Sequence, residues 1–141
     1  MKWIIASDHA GFELKQEVIR QFPQLEFQDL GPESTDSVNY ADYAHRLAEM
    51  IEHKKADRGI LICGSGVGVS ITANRHAQVR AALCWQPEIA RLCRQHNDAN
   101  VMCLPARFIS LEQAIEMIQI FVSEPFEGGR HQIRVSSIEC C

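Results

Sequence analysis

Short apolar runs and amphipathic stretches alternate along the whole chain. Lys2–Ser7, with Trp3-Ile4-Ile5-Ala6 inside it, reads as a strand buried on both faces. Phe12–Phe22 carries Leu14, Val18, Ile19 and Phe22 on one side, the spacing of a helix. Glu26–Leu30 is a second strand, closed by Gly31-Pro32. Tyr40–His53 predicts a second helix whose buried stripe is Tyr40, Tyr43, Ala44, Leu47, Met50 and Ile51. Gly59–Cys63 is a third strand, with a helix over Val67–Arg75 after it. Val79–Cys84 is the fourth strand, and Pro87 opens a helix that ends near His96-Asn97-Asp98. Asn100–Leu104 is the fifth strand. Ser110 and Gln113 have capping-box spacing for a last long helix, faced by Leu111, Ala114, Ile115, Ile118, Phe121 and Val122. Beyond Gly128-Gly129 the chain reads as a polar tail carrying Arg130, His131 and Arg134.

Five strands joined by helical crossovers predict a doubly wound α/β fold. The expected architecture is a Rossmann-like three-layer sandwich on a mostly parallel five-stranded sheet. At 141 residues and 46% hydrophobic content, residues 1–141 suffice for one domain with a real core. A net charge of −4 excludes nucleic acid as the expected partner, because phosphate-backbone binding needs a basic face. No apolar run approaches the ~20 residues that span a bilayer. The opening Met1-Lys2-Trp3-Ile4-Ile5-Ala6-Ser7-Asp8 reaches charge too soon for a signal peptide. No membrane partner and a cytoplasmic location are therefore expected.

Six cysteines bring two further possibilities into view. Cys63, Cys84, Cys93 and Cys103 lie within apolar patterns, where reduced cysteine behaves as a small hydrophobe. There is no Cys-x-x-Cys and no Cys/His set with zinc spacing, so no metal site is expected. Cys140-Cys141 has no polybasic run upstream and reads as an exposed, oxidation-prone tail rather than a prenylation signal.

The chemistry concentrates at Gly59-Ile60-Leu61-Ile62-Cys63-Gly64-Ser65-Gly66-Val67-Gly68. A buried strand ends in a thiol, and three alternating glycines let the backbone turn and approach a ligand closely. The following helix points its positive end at the loop, so an anion or a developing oxyanion can be held there. The same field favours the thiolate of Cys63. In a parallel sheet, ligands bind outside the carboxyl ends of the strands. That rule gathers Asp8, His9, Cys63, Ser65 and Arg107 into one crevice. His96 lies past the far end of its helix and must reach the crevice by a turn or across a subunit interface. Arginine matches phosphate bidentately, which makes Arg107, Arg130 and Arg134 candidate anchors. Taken singly, each residue has a plainer role. Asp8 suits an N-cap, His96 suits a helix C-terminus, and Arg107 and Arg134 suit a solvated surface. His45, His53 and His76 are read as exposed. A thiol, two imidazoles, a carboxylate and arginines together suit proton shuttling on a phosphorylated substrate.

Four blocks carry a resemblance to the type B ribose-5-phosphate isomerases, the family that includes the bacterial galactose-6-phosphate isomerase subunits. They are Ser7-Asp8-His9-Ala10-Gly11-Phe12, the glycine-loop segment 59–68, His96-Asn97-Asp98-Ala99-Asn100-Val101, and Glu127-Gly128-Gly129-Arg130-His131. The resemblance implies aldose–ketose isomerisation through a cis-enediol, without metal or organic cofactor. Cys63 resembles the base that moves a proton between the two carbons, and His96 the acid/base that opens the furanose ring. Asp8 would lie near the sugar hydroxyls, with Asn97 close by. Gly64, Ser65, Gly66, Val67 and Gly68 would stabilise the enediolate through backbone N–H groups. His9, Arg107, Arg130 and Arg134 resemble the phosphate-binding set. The family further implies a homodimer or a dimer of dimers with sites between subunits. A pentose 5-phosphate is favoured over a hexose 6-phosphate of the allose or galactose type, whose enzymes often pair unlike subunits.

Two segments depart from the family pattern. Asn39-Tyr40-Ala41-Asp42-Tyr43-Ala44 stands for Asp-Tyr-Pro-Asp-Tyr-Ala, and Leu104-Pro105-Ala106-Arg107 for Leu-Gly-x-Arg. Pro105 has a fixed φ and no N–H, so the loop that places Arg107 is expected to differ. Two other classes compete. Gly64-Ser65-Gly66-Val67-Gly68 resembles a nucleotide-binding fingerprint, but its third glycine comes one residue early and it follows the third strand. A non-catalytic redox or metal-handling protein rests on the cysteine and histidine counts alone.

Overall fold

The computed structural model describes residues 1–139; the Cys140-Cys141 reading lies outside the described residues. Its strands are β1 (Trp3–Ser7), β2 (Gln28–Asp29), β3 (Arg58–Cys63), β4 (Ala81–Leu83) and β5 (Val101–Pro105). Its helices are α1 (Phe12–Gln21), α2 (Tyr40–Glu52), α3 (Val67–Ala73), α4 (Pro87–Gln95), α5 (Leu111–Ser123) and α6 (Arg130–Ser136). The strands form one sheet in the order β2-β1-β3-β5-β4, every neighbouring pair parallel. The expected Rossmann-like α/β sandwich is what forms.

Period-two alternation sends each strand's side chains to two cores. Trp3, Ile5, Ile60, Ile62, Met102 and Leu104 face α1, α4 and α5, packing with Val18, Ala90, Cys93, Met117 and Phe121. Ile4, Ala6, Leu61, Cys63, Val101 and Cys103 face α2 and α3, packing with Ala44, Leu47, Ile51, Val69 and Ala73. The side chain of Cys63 therefore leaves the sheet on the α3 side. β1 connects outward to β2 and β3 connects the other way, toward β4. Their carboxyl ends flank the point where strand order reverses, which is where such sheets bind ligands.

Several elements differ from the sequence reading. The second strand shrinks to Gln28–Asp29, because Glu26 adopts a left-handed conformation, φ 49°, that breaks extended pairing. Tyr40 is 43% exposed, not part of the buried stripe. It begins α2 just after its cap Asn39, whose side chain accepts from the Ala41 N–H at 3.0 Å. The tail beyond Gly129 is helical: α6 follows two left-handed glycines and buries His131. Ser110 and Gln113 do form the capping box of α5, at 3.1 and 2.8 Å.

Candidate active site

Cys63 ends β3, buried, with its Sγ accepting the Gly66 N–H at 3.1 Å. That bond strengthens when sulfur carries charge. Gly66 turns at φ 74°, and a Cβ there would lie 2.4 Å from Leu83 Cδ1. Val67 N–H is held by Ser65 Oγ at 3.3 Å. The amides of Gly64 and Ser65 serve no acceptor among the described residues. Cys103 sits in the same core, and burial pushes its thiol far up, helped by repulsion from Cys63 and Cys93. It stays an inert hydrophobe.

The end of β1 closes one side of the crevice. Asp8 N–H donates to the Ile62 carbonyl at 3.0 Å, and Asp8 Oδ1 accepts from Gly11 N–H at 3.0 Å. One carboxylate oxygen thus holds the turn into α1. His9 Nδ1 accepts the Val38 N–H at 3.2 Å, so the free nitrogen Nε2 bears the hydrogen of the neutral ring and can donate outward. The opposite side is Arg107. Pro105 pairs with Cys63 as the last residue of β5, and the next two amides donate back to the glycine loop. Ala106 N–H reaches the Cys63 carbonyl at 2.9 Å, and Arg107 N–H reaches the Gly64 carbonyl at 3.0 Å. The Arg107 side chain lies over Gly64, where an added Cβ would meet its Nη1 at 3.1 Å. The loss of an N–H at Pro105 therefore leaves Arg107 anchored on the loop. Asp8, His9, Cys63, Ser65 and Arg107 all lie at the carboxyl end of the sheet.

The glycine loop Gly64–Gly68 lies there too, but His96, Asn97, Arg130 and Arg134 do not. α4 leaves the carboxyl end of β4 and runs back, so His96, its C-cap, sits at the amino end. Next to it, Asp98 holds Arg80 at 3.2 Å, and the Asn100 N–H reaches the Arg80 carbonyl just before β4 starts. Asn97 lines a hollow of about 380 Å³ there with Arg80, Ala81 and Ile138. Glu127 N–H donates to the Gln95 carbonyl at 3.1 Å, which brings Arg130, His131 and Arg134 to the same end. Within one chain, then, Arg107 cannot share an anchor with Arg130 and Arg134, and no turn carries His96 to Cys63. Parallel-sheet topology alone forces this separation.

Sequence reasoning missed four contributors. The Val38 amide orients His9 from 29 residues away, through a backbone group that every residue but proline carries. Tyr40 lies against Gly68, where an added Cβ would be 2.6 Å from its ring. Trp85 and Phe108, 50% and 75% exposed, wall an apolar hollow of about 330 Å³ beside Ser65. Their signal was available as large apolar residues just past the ends of β4 and β5. His76, read as exposed, is half-buried and bonds both Glu52 and His45.

Residues 3–138 match the family model described as Ribose/Galactose Isomerase. The ribose-5-phosphate isomerase B of Escherichia coli K12 is 42% identical over 133 residues, covering 93% of this chain and 89% of its own. The ribose 5-phosphate isomerase of Thermotoga maritima superposes with TM-score 0.94 at 48% identity, over 97% of this chain and 96% of that one. The type B enzyme of Mycoplasma genitalium, solved with ribulose 5-phosphate bound, gives TM-score 0.93 at 40% identity, over 97% and 93%. With its glycine loop and thiol at the switch point of a parallel sheet, this chain belongs to the ribose/galactose isomerase family.

Proposed function

We propose that the protein interconverts ribose 5-phosphate and ribulose 5-phosphate through a cis-enediol, in sites built between two copies of the chain. The observation that carries the reading is the Cys63 sulfur at the β1/β3 switch point, 3.1 Å from the Gly66 amide and beside two uncommitted loop amides. A base and an oxyanion cradle stand together there, as proton abstraction next to a carbonyl requires. The Mycoplasma relative, 40% identical, holds the ketose product of this reaction.

The cycle balances without an external oxidant. His96 from the second copy takes the proton from O1 of the furanose and returns one to the ring oxygen, which frees the aldehyde. Cys63 as thiolate removes the C2 proton, and the electron pair moves through C1=C2 onto O1. The amides of Gly64 and Ser65 hold that enediolate, aided by the other N–H groups of Gly64–Gly68. Proton exchange between O1 and O2 followed by donation from the Cys63 thiol to C1 yields the ketose. Asp8 and Asn97 bind sugar hydroxyls. His9 and Arg107 from one copy and Arg130 and Arg134 from the other bind phosphate, guanidinium groups suiting it bidentately.

The two-copy site is supported by the split described above and by exposed apolar side chains at both ends. Val67, Trp85 and Phe108 are exposed at the thiol end, Ile133 is exposed on α6, and Ile138 lines the hollow with Asn97. A two-fold dimer covers each set and brings His96 to the other chain's Cys63.

The test is conversion of ribose 5-phosphate in the presence of EDTA, with Cys63→Ser and Cys63→Ala alongside. Wild-type turnover should survive the chelator. Both variants should fold normally and lose about 10²–10⁴-fold in kcat, the range for a removed general base. Near-normal turnover in folded Cys63→Ala removes the thiol from the mechanism. A folded wild type inactive on ribose 5-phosphate but active on allose or galactose 6-phosphate moves the substrate to the hexoses.

A further inference from the structure

His96 and His131 stack face to face, ring centroids 4.2 Å apart and planes 12° from parallel. His96 is the C-cap residue of α4, and His131 stands in the first turn of α6. The Glu127 N–H to Gln95 carbonyl bond clamps the two backbones. His131 is buried and His96 only partly so. Glu127 Oε2 lies 3.5 Å from His131 Nε2. The stack is not arranged for a shared ion. Lone pairs lie in the ring planes, so parallel rings aim them side by side, and Arg130 and Arg134 bring positive charge to His131.

Two imidazoles in face contact accept one proton far more readily than two. Burial above all holds His131 below its ordinary value, with His96, Arg130 and Arg134 adding to it and Glu127 opposing. Neighbouring charges on the adjoining elements are paired among themselves. Arg94 and Arg80 hold the Asp98 carboxylate, and Arg91 holds Glu124. His96 is the more open of the two rings.

We infer that His131 is a positioning residue for ring opening: a neutral plate that fixes the plane of His96 and leaves the acid form of the pair to it. This rests on the reading of His96 as the ring-opening group. It also gives Glu127-Gly128-Gly129-Arg130-His131 a second task besides supplying an arginine, since the two left-handed glycines start α6 with His131 under His96.

The experiment is an NMR titration of the histidine ring signals, with kcat measured against pH, for wild type, His131→Phe and His131→Ala. In wild type the His96 signals should report two steps, its own and the low-pH arrival of a second proton in the stack. His131→Phe keeps a flat ring without a titrating nitrogen, so His96 should show one step. His131→Ala loses the plate, and kcat should fall on the order of 10²-fold, the penalty of a misplaced catalytic group. The phenyl ring should recover most of that loss. Identical His96 titrations in wild type and His131→Phe overturn the inference, as does unchanged turnover in His131→Ala. A folded wild type inactive on ribose 5-phosphate and on the hexose 6-phosphates alike refutes the parent reading and the ring-opening role with it. The titration then reads the coupling of the two rings by itself.

Discussion

At Gly66 the backbone turns through φ 74° while its N–H reaches the Cys63 sulfur, and the Leu83 side chain fills the space where a Cβ would stand. Gly66→Ala should therefore lose about 1–2 kcal/mol to left-handed strain. The contact at 2.4 Å from Leu83 Cδ1 adds to this and moves the amide off the sulfur. Thermal unfolding and kcat should both fall; a variant matching wild type in both would show that the loop tolerates a side chain. The placement of this loop is legible in the sequence. The thiol's position at a strand end follows from the apolar run before it, and the alternating glycines after it mark the tight turn. What is not legible is backbone chemistry at a distance. The Val38 amide that orients His9 leaves no mark in residue identity.

The elements are held in register by a few polar ties. Lys15 of α1 is fully buried, with its Nζ 2.6 Å from Asp29 Oδ1 and 2.7 Å from the Pro32 carbonyl. Removing one partner strands the other's charge, and the penalty is larger for whichever partner is left in the interior. Asp29→Ala should cost about 3–5 kcal/mol in urea unfolding. Lys15→Met, which leaves only the partly solvated carboxylate, should cost less; the reverse ranking would mean the ammonium is not buried alone. A second tie joins α2 to the turn after α3. The His76 side chain and then the Ala77 N–H hold the Glu52 carboxyl below its ordinary 4.5. The folded state therefore binds fewer protons than the unfolded one around that pH. The stabilisation is full above 4.5 and fades as pH falls through the lower folded value. Glu52→Gln should be less stable than wild type near neutrality, with the two curves converging in acid; a gap constant with pH would contradict this. Strands and long helices announce themselves by period, and Ser110 with Gln113 announces a cap. The helix α6 does not. Arg130-His131-Gln132-Ile133-Arg134-Val135-Ser136 has no apolar stripe of its own, and it docks through one imidazole on another. Lys15 is hidden for a similar reason: its partner comes from a different element.

On the scale of the whole molecule, the thiol loop and the proposed ring-opening histidine stand at opposite ends of one sheet. Sequence order indicates that His96 lies past the far end of its helix, but only strand order and crossover direction exclude a return within the chain. No helix among the described residues is long and apolar enough to cross a membrane. Trp85, Phe108 and Ile133 are exposed, and the proposed second copy of the chain is what would cover them. The central claim, an isomerase whose thiol and ring-opening histidine come from different copies, is tested most directly by mixing two inactive variants. Cys63→Ala and His96→Asn homodimers each lack one half of every site. After dissociation and random reassociation, half of the dimers are hybrids with one intact site of two, so ribose 5-phosphate isomerisation should return to about one quarter of wild type. Hybrids that form, as seen by native mass spectrometry, yet remain inactive would contradict the shared site.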